Sequence, residues 1–174
     1  MTLNNNDTRI YLIGFMGCGK TTIGKKLAKR LHYTFVDLDE EIEKTVKTTI
    51  PDIFKNQGEE EFRRLESILL KQFAACKNFV MATGGGTPCY GENIDVMNGN
   101  GISIYIKLPA ISLIQRIKKS KKNRPLIFGK NDDELEFFVK QALLKREAFY
   151  CKATYVVEGL RTDPEKIAEL LSIR

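Results

Sequence analysis

The sequence predicts an α/β fold: a five-stranded parallel sheet with helices on both faces. Three observations lead there. Short β-rich runs alternate with helical patterns, a glycine-rich loop stands at the first strand-to-helix turn, and no linker or internal repeat divides the 174 residues. Strands separated by helices pair in parallel through right-handed crossovers, and such sheets are covered on both sides. A chain of this length suits one domain with one sizeable core, so residues 1–174 are read as a single unit.

The elements follow in order. Strands are expected at Ile10–Gly14, Thr34–Asp37, Asn78–Ala82, Ile102–Lys107 and Thr154–Val157, each a short apolar run bounded by turn residues. After the glycine loop, Ile23, Leu27 and Leu31 recur every four residues and mark the first helix. Two or three helical stretches, over Glu40 to Lys47, Pro51 to Asn56 and Glu59 to Cys76, precede the third strand; they exceed what a simple crossover needs. Leu113 with Ile117 marks the next helix. Leu135, Val139, Leu143 and Phe149 mark another, and Ile167 with Leu170 and Leu171 the last. The stretch Lys118 to Asp133 is basic and polar, with Pro125 and Gly129, as expected of an active-site lid.

Composition narrows the function classes. Hydrophobic content of 43% and charged content of 29% are ordinary for a soluble globular chain. No apolar stretch reaches the roughly 20 residues a membrane helix needs, and the polar start MTLNNNDTR lacks a signal peptide's apolar core. Cys18, Cys76, Cys89 and Cys151 show no CxxC spacing, which suits reduced thiols in a cytoplasmic protein. The net charge of +6 fits either a nucleic acid or an acidic small ligand. Its densest cluster, KKSKKNR, has no interleaved aromatics and matches no nucleic-acid module, so phosphate handling is expected and no nucleic-acid or membrane partner.

Gly14 to Thr22 reads GFMGCGKTT, which fits G-x-x-x-x-G-K-[ST] between an expected strand and an expected helix. Glycines let successive N–H groups converge on phosphate oxygens, and the helix start adds its positive dipole end. Lys20 is expected to reach the β- and γ-phosphates of ATP and the Thr21 hydroxyl to ligate Mg²⁺. Asp37 and Asp39 close the second strand; if both are extended, they point the same way into the cleft. One can then hold Mg²⁺ and the other accept a proton, or Asp39 merely caps the next helix. The triplet Gly84-Gly85-Gly86 at the end of the third strand marks close ligand approach or a plain turn. Arg146 continues the stripe of Val139 and Leu143, so it faces the core and needs an internal carboxylate or an anionic ligand. Arg63 flanks the stripe of its helix, Arg64 reads as a surface charge, and Arg124 ends the basic lid. Together these describe a kinase for a small substrate carrying a hydroxyl and an anion; a nucleotide-dependent binding module remains open.

From Ile10 to about Leu171 the chain resembles the shikimate kinases. The likeness rests on GFMGCGKTT, the D-x-D of VDLDEEIE, IPDIFKNQGEEEFRRLE, ATGGGT, the NRPL of the lid and KREAFY, in that order. The resemblance implies a P-loop fold of the nucleoside-monophosphate-kinase type and transfer of the γ-phosphoryl of ATP to the 3-hydroxyl of shikimate, on the route to aromatic amino acids. By the same likeness, ATP is bound by Gly17, Cys18, Gly19, Lys20, Thr21 and Thr22, with Arg124 on its phosphates and Pro164 and either Arg116 or a lysine close behind it at adenine. Asp39, Arg63, Gly85 and Arg146 bind shikimate, the two arginines on its carboxylate. Asp37 goes with Mg²⁺, residues about 38–66 form the substrate-binding segment, and about 118–133 the lid. Lys20, Asp39 and Arg124 are then the catalytic set of an expected cytoplasmic monomer. Cys18 departs from the usual alanine or serine, and Lys47 stands where a glycine is common.

Overall fold

Strand β1 (Arg9–Ile13) carries the run Ile10-Tyr11-Leu12-Ile13, and all four side chains are fully buried. Successive residues of a strand point to opposite faces, so both faces of β1 are covered. In the computed structural model, which describes residues 8–120, 125–158 and 164–171, β1 is the middle strand of a sheet. Its neighbours are β3 (Phe79–Ala82) and β4 (Ile102–Lys107), with β2 (Thr34–Asp37) and β5 (Tyr155–Glu158) at the edges. The order is β2-β3-β1-β4-β5 and every pairing is parallel. Burial tracks that order: β3 is buried throughout, whereas β5 alternates between half-buried and exposed.

Helix α1 (Lys20–Leu31) packs Ile23, Leu27 and Leu31 inward and ends at His32, whose left-handed backbone (φ 56°) lets its N–H reach back to Ala28 and Lys29. Between β2 and β3 lie α2 (Leu38–Val46), α3 (Ile50–Asn56) and α4 (Gly58–Phe73). Lys47 ends α2 in the left-handed conformation (φ 55°), where a glycine would sit without strain. Helix α5 (Asn93–Asn100) precedes β4; α6 (Ala110–Lys119) and α7 (Asp132–Tyr150) precede β5, and α8 (Pro164–Leu170) follows it against α1.

The chain leaves β1 toward one edge of the sheet and leaves β3 toward the other. A crevice therefore opens between the carboxyl ends of these adjacent strands, the usual ligand position in such sheets. Register keeps the ends level, since Leu12 and Asp37 both pair with Ala82.

Some boundaries differ from the sequence expectation. β1 stops at Ile13 because Gly14 turns to φ 136°, and Asn78 stands before β3 at φ 53°. Helix α4 ends at Phe73, short of Cys76. Helix α5 was not among the expected elements: its sequence NIDVMNGN buries only Asn93, Ile94 and Met97 and carries no clear stripe. The expected lid is partly helical, with Lys118 and Lys119 closing α6 and Asp132 opening α7. Lys118 pairs with Asp132 at 2.7 Å, tying its two ends.

Candidate active site

The loop after β1 is shaped by backbone contacts. A Cβ on Gly14 would come within 2.8 Å of the Ile106 carbonyl, and its φ of 136° is strained for any other residue. Gly19, also left-handed at φ 107°, caps α1 without a side-chain hydrogen bond, so the helix's first N–H groups stay available to a ligand. Lys20 Nζ lies across the loop and donates to the carbonyls of Gly14 (2.7 Å) and Phe15 (3.1 Å). Thr21 Oγ1 donates to Asp37 Oδ2 at 3.0 Å, which joins the start of α1 to the end of β2. Arg116 Nη1 lies 3.3–3.4 Å from the loop carbonyls of Gly17 and Cys18, and Cys18 itself is buried.

Beside the loop lies a cavity of about 360 Å³. Gly17, Gly19, Lys20, Thr21 and Thr22 line it on one side, and Asp37, Asp39, Arg63, Gly84, Gly86 and Arg146 on the other. Asp37 and Asp39 do share this cavity, but not as neighbours in one extended strand. β2 ends at Asp37, which is the N-cap of α2, and Asp39 lies in the helix's first turn. Helical geometry, not strand alternation, aims Asp39 inward, and the capping role considered for it falls to the backbone of Asp37 instead.

The two arginines differ. Arg63 is buried and donates to Glu59 through Nε (3.1 Å) and Nη2 (2.8 Å), and to Glu66 through Nη1 (2.6 Å). Glu66 is fully buried and also accepts from the Thr87 hydroxyl. Burial pushes the Glu66 carboxyl above its ordinary value, against the pull of Arg63 and Thr87. Three of the five N–H groups of Arg63 are thus committed to carboxylates, and the other two remain for a ligand. Arg146 has no such answer among the described residues. Its guanidinium lies 5.3 Å from the Phe15 ring centroid, and Nη1 is a buried donor with no hydrogen-bond partner. Arg146 as a whole is half-buried beside Tyr150, but a buried donor atom without a partner is costly, so Nη1 is a candidate contact for an anion.

The glycine triplet lies between the arginines. A Cβ on Gly84 would collide with Glu66, and one on Gly86 with the Arg63 guanidinium, so close approach rather than flexibility requires glycine here. A Cβ on Gly85 would stand 3.6 Å from Arg146 Nη1. Ile50, Pro51, Phe54 and Phe62 add an apolar wall, and Pro125 and Leu126 come from the lid turn.

Three expected site residues, Cys18, Gly85 and Arg116, stand beside the cavity without lining it. Two others fall elsewhere. Arg124 lies outside the described residues. Pro164 does not line the cavity. It opens α8, whose next residue, Glu165, pairs with Arg30 in the last turn of α1 (2.9 Å). Arg64 pairs with Glu61 on the surface. Glu59, Glu66 and Thr87 were not singled out from sequence. Glu66 could have been: it follows Phe62 by four residues and precedes Leu69 by three, which places a carboxylate on the buried stripe beside Arg63.

A glycine loop opening a helix, a hydroxyl–carboxylate pair next to it, and an adjoining pocket with one buried and one half-buried arginine define a P-loop kinase acting on a small anionic acceptor. The family model described as shikimate kinase matches residues 16–173. A shikimate kinase of Azobacteroides pseudotrichonymphae is 46% identical over 149 residues, covering 85% of this chain and 88% of its own. One of Bacteroides thetaiotaomicron is 38% identical over 95% of this chain and 99% of its own. Among solved structures, the crystal structure of the Bacteroides thetaiotaomicron shikimate kinase superposes with a TM-score of 0.89 at 39% identity, covering 95% of this chain and 98% of that one. The Acinetobacter baumannii shikimate kinase in complex with shikimate gives 0.85 at 36% identity, covering 95% and 90%. This chain belongs to the shikimate kinase family and so to the ATP-dependent kinases.

Proposed function

We propose that the cavity transfers the γ-phosphoryl of ATP to the 3-hydroxyl of shikimate, giving shikimate 3-phosphate and ADP. The observation that carries this reading is the buried, unpartnered Nη1 of Arg146, in the same cavity as Lys20 and the Thr21–Asp37 pair. In this reading the loop N–H groups and Lys20 hold the ATP phosphates, while Arg146 and the two remaining N–H groups of Arg63 grip the acceptor carboxylate. Gly85 offers its N–H to the acceptor, and the apolar wall of Phe54 and Phe62 meets its ring. Such gripping turns a bimolecular encounter into a pre-aligned one.

Asp39 orients the attacking hydroxyl and takes its proton as the new phosphorus–oxygen bond forms and the bond to the β-phosphate oxygen breaks. Arg124 and Lys20 meet the charge that builds on the transferring group. Thr21 and Asp37 supply one hydroxyl and one carboxylate oxygen, a donor set that suits Mg²⁺; among the described residues no cluster of three His, Cys, Asp or Glu side chains competes as a metal cage. Bound there, Mg²⁺ neutralises phosphate charge. Arg116 stands against the loop carbonyls and serves the nucleotide, and the stretch 118–133 closes over both substrates to exclude water. Among the described residues no helix is long and apolar enough to cross a membrane.

The test is ADP production from MgATP with and without shikimate. Release that depends on shikimate supports the reading. Equal release in both arms, or release only with a different hydroxy acid, removes it.

A further inference from the structure

Arg146 and Tyr150 lie one helical turn apart on α7, so they project from the same face. Tyr150 is fully buried, and its hydroxyl donates to the Gly85 carbonyl at 2.5 Å. Its ring packs on Tyr105, with centroids 4.9 Å apart and planes inclined by 37°. Tyr105 spends its own hydroxyl elsewhere, on Glu147 Oε2 at 2.9 Å. Two stacked, buried tyrosines on one layer therefore point their oxygens at different targets, and only that of Tyr150 meets the glycine triplet.

A triplet of glycines has no side chains with which to hold its backbone, and Gly85 lies only half-buried between Met16 and Arg146. One end of the triplet is tied by the N–H of Thr87, which donates to the Gly84 carbonyl at 3.3 Å. The Gly85 carbonyl is held by Tyr150. Burial raises the phenol's pKa against the nearby Arg146 charge, so the hydroxyl remains a donor across the working pH range.

We propose that Tyr150 is a positioning residue for the phosphoryl acceptor: by fixing the Gly85 carbonyl from the helix that carries Arg146, it sets the Gly85 backbone and the Arg146 guanidinium in one frame. The inference rests on the acceptor reading above, in which those two groups bind one molecule. Neither Tyr150 nor its hydroxyl lines the cavity, so its effect passes through the two groups its hydroxyl meets, the Gly85 carbonyl and the Arg146 guanidinium. Loss of the hydroxyl frees the carbonyl to rotate and leaves it without a donor.

The test compares Tyr150→Phe with Tyr105→Phe and the unaltered chain in the same shikimate-dependent ADP assay. Each variant loses one buried hydroxyl and keeps the stacked rings. Tyr150→Phe is expected to raise the shikimate KM about tenfold, the loss of one well-made hydrogen bond, with the ATP KM within about twofold. Tyr105→Phe is expected to lower thermal stability without moving the shikimate KM by more than about twofold. Combined with Arg146→Lys, the effect of Tyr150→Phe shrinks, because the two act on one frame.

Equal KM effects of the two tyrosine variants overturn the proposal, as does full additivity with Arg146→Lys. So does a Tyr150→Phe chain that loses ATP binding, since the hydroxyl then holds the fold. An unaltered chain that shows no shikimate-dependent turnover removes the functional reading and the inference together, whereas normal turnover with an unmoved KM in Tyr150→Phe removes the inference alone.

Discussion

On the nucleotide side of the cavity, one unbroken stretch, Gly14 to Thr22, supplies the loop backbone, the helix start, an ammonium and a hydroxyl. On the acceptor side, four separated segments each supply a group: Asp39 from α2, Arg63 from α4, the glycines after β3, and Arg146 from α7. The first half is held by backbone geometry, the second by side-chain pairs. The arginines sharpen the contrast, because Arg63 is tied to two carboxylates while Arg146 keeps a buried donor open. A phosphate site can be carried along a chain as one motif; an acceptor site exists only once distant elements have packed. Damage to the acceptor side should therefore spare nucleotide binding, and the two arginines should fail in different ways.

The largest effect is expected at Asp39. Asp39→Asn keeps size and much of the hydrogen bonding but removes the charge that orients and deprotonates the hydroxyl. Turnover should drop about a hundredfold to ten-thousandfold, with the ATP KM within about threefold. Steady-state ADP release checks both numbers. Parallel loss of ATP affinity would mean the halves are not separable.

Next come the arginines. Arg146→Ala should raise the shikimate KM about a hundredfold, the scale of a lost charge-assisted contact, while the thermal midpoint stays level or rises because a buried unpaired donor is gone. Arg63→Ala should raise that KM as well but also lower the midpoint by roughly 10 °C, since it strands the fully buried Glu66. Adding Glu66→Gln to Arg63→Ala should recover part of the midpoint and none of the KM. Calorimetry on the four proteins measures this, and matching midpoints for the two single variants would erase the distinction.

The same contrast explains what the sequence revealed. The phosphate loop was legible because its spacing and its place between strand and helix are local properties, and the three inner strands were legible because buried parallel strands read as apolar runs such as Ile10 to Ile13. Asp39 was assigned to the cleft through the wrong local geometry, since nothing in VDLD says where a strand becomes a helix when Asp37 can serve as its cap. Arg146 facing inward followed from its stripe with Val139 and Leu143, but the choice between a carboxylate and a ligand needed packing, and packing gave opposite answers for Arg146 and Arg63. Tyr150 stands in KREAFY in plain view, yet its bond to Gly85 joins residues 65 positions apart. Helix α5 was missed because a short helix anchored by buried Asn93, which donates to the Thr87 carbonyl, needs no long apolar stripe.

The smallest effect lies outside both halves, beneath the helix that carries Arg146. Glu147 accepts from Lys107 at 2.9 Å and from the Tyr105 hydroxyl. Burial pushes its carboxyl up, but those two hydrogen bonds, the Lys107 charge and the Cys151 thiol together outweigh it and hold the pKa below the ordinary 4.5. A carboxylate depressed in the folded state adds stability above its unfolded pKa, and the gain is lost as pH falls through the folded one. The group is partly solvated, so the gain is small. Glu147→Gln, which keeps shape but replaces one of the two accepting oxygens with an amide donor, should therefore lower the thermal midpoint by about 2 °C at pH 7, and the charge-dependent part of the difference from the unaltered chain should close as pH falls through the folded pKa. Shikimate and ATP KM should both stay within about twofold, because the Glu147 charge is answered by Lys107 and Tyr105 and does not touch the frame that Tyr150 and Arg146 set. A gap that widens toward acid would reverse the sign of the Glu147 contribution, and a selective rise in the shikimate KM would extend the acceptor side to the Tyr105–Glu147–Lys107 layer.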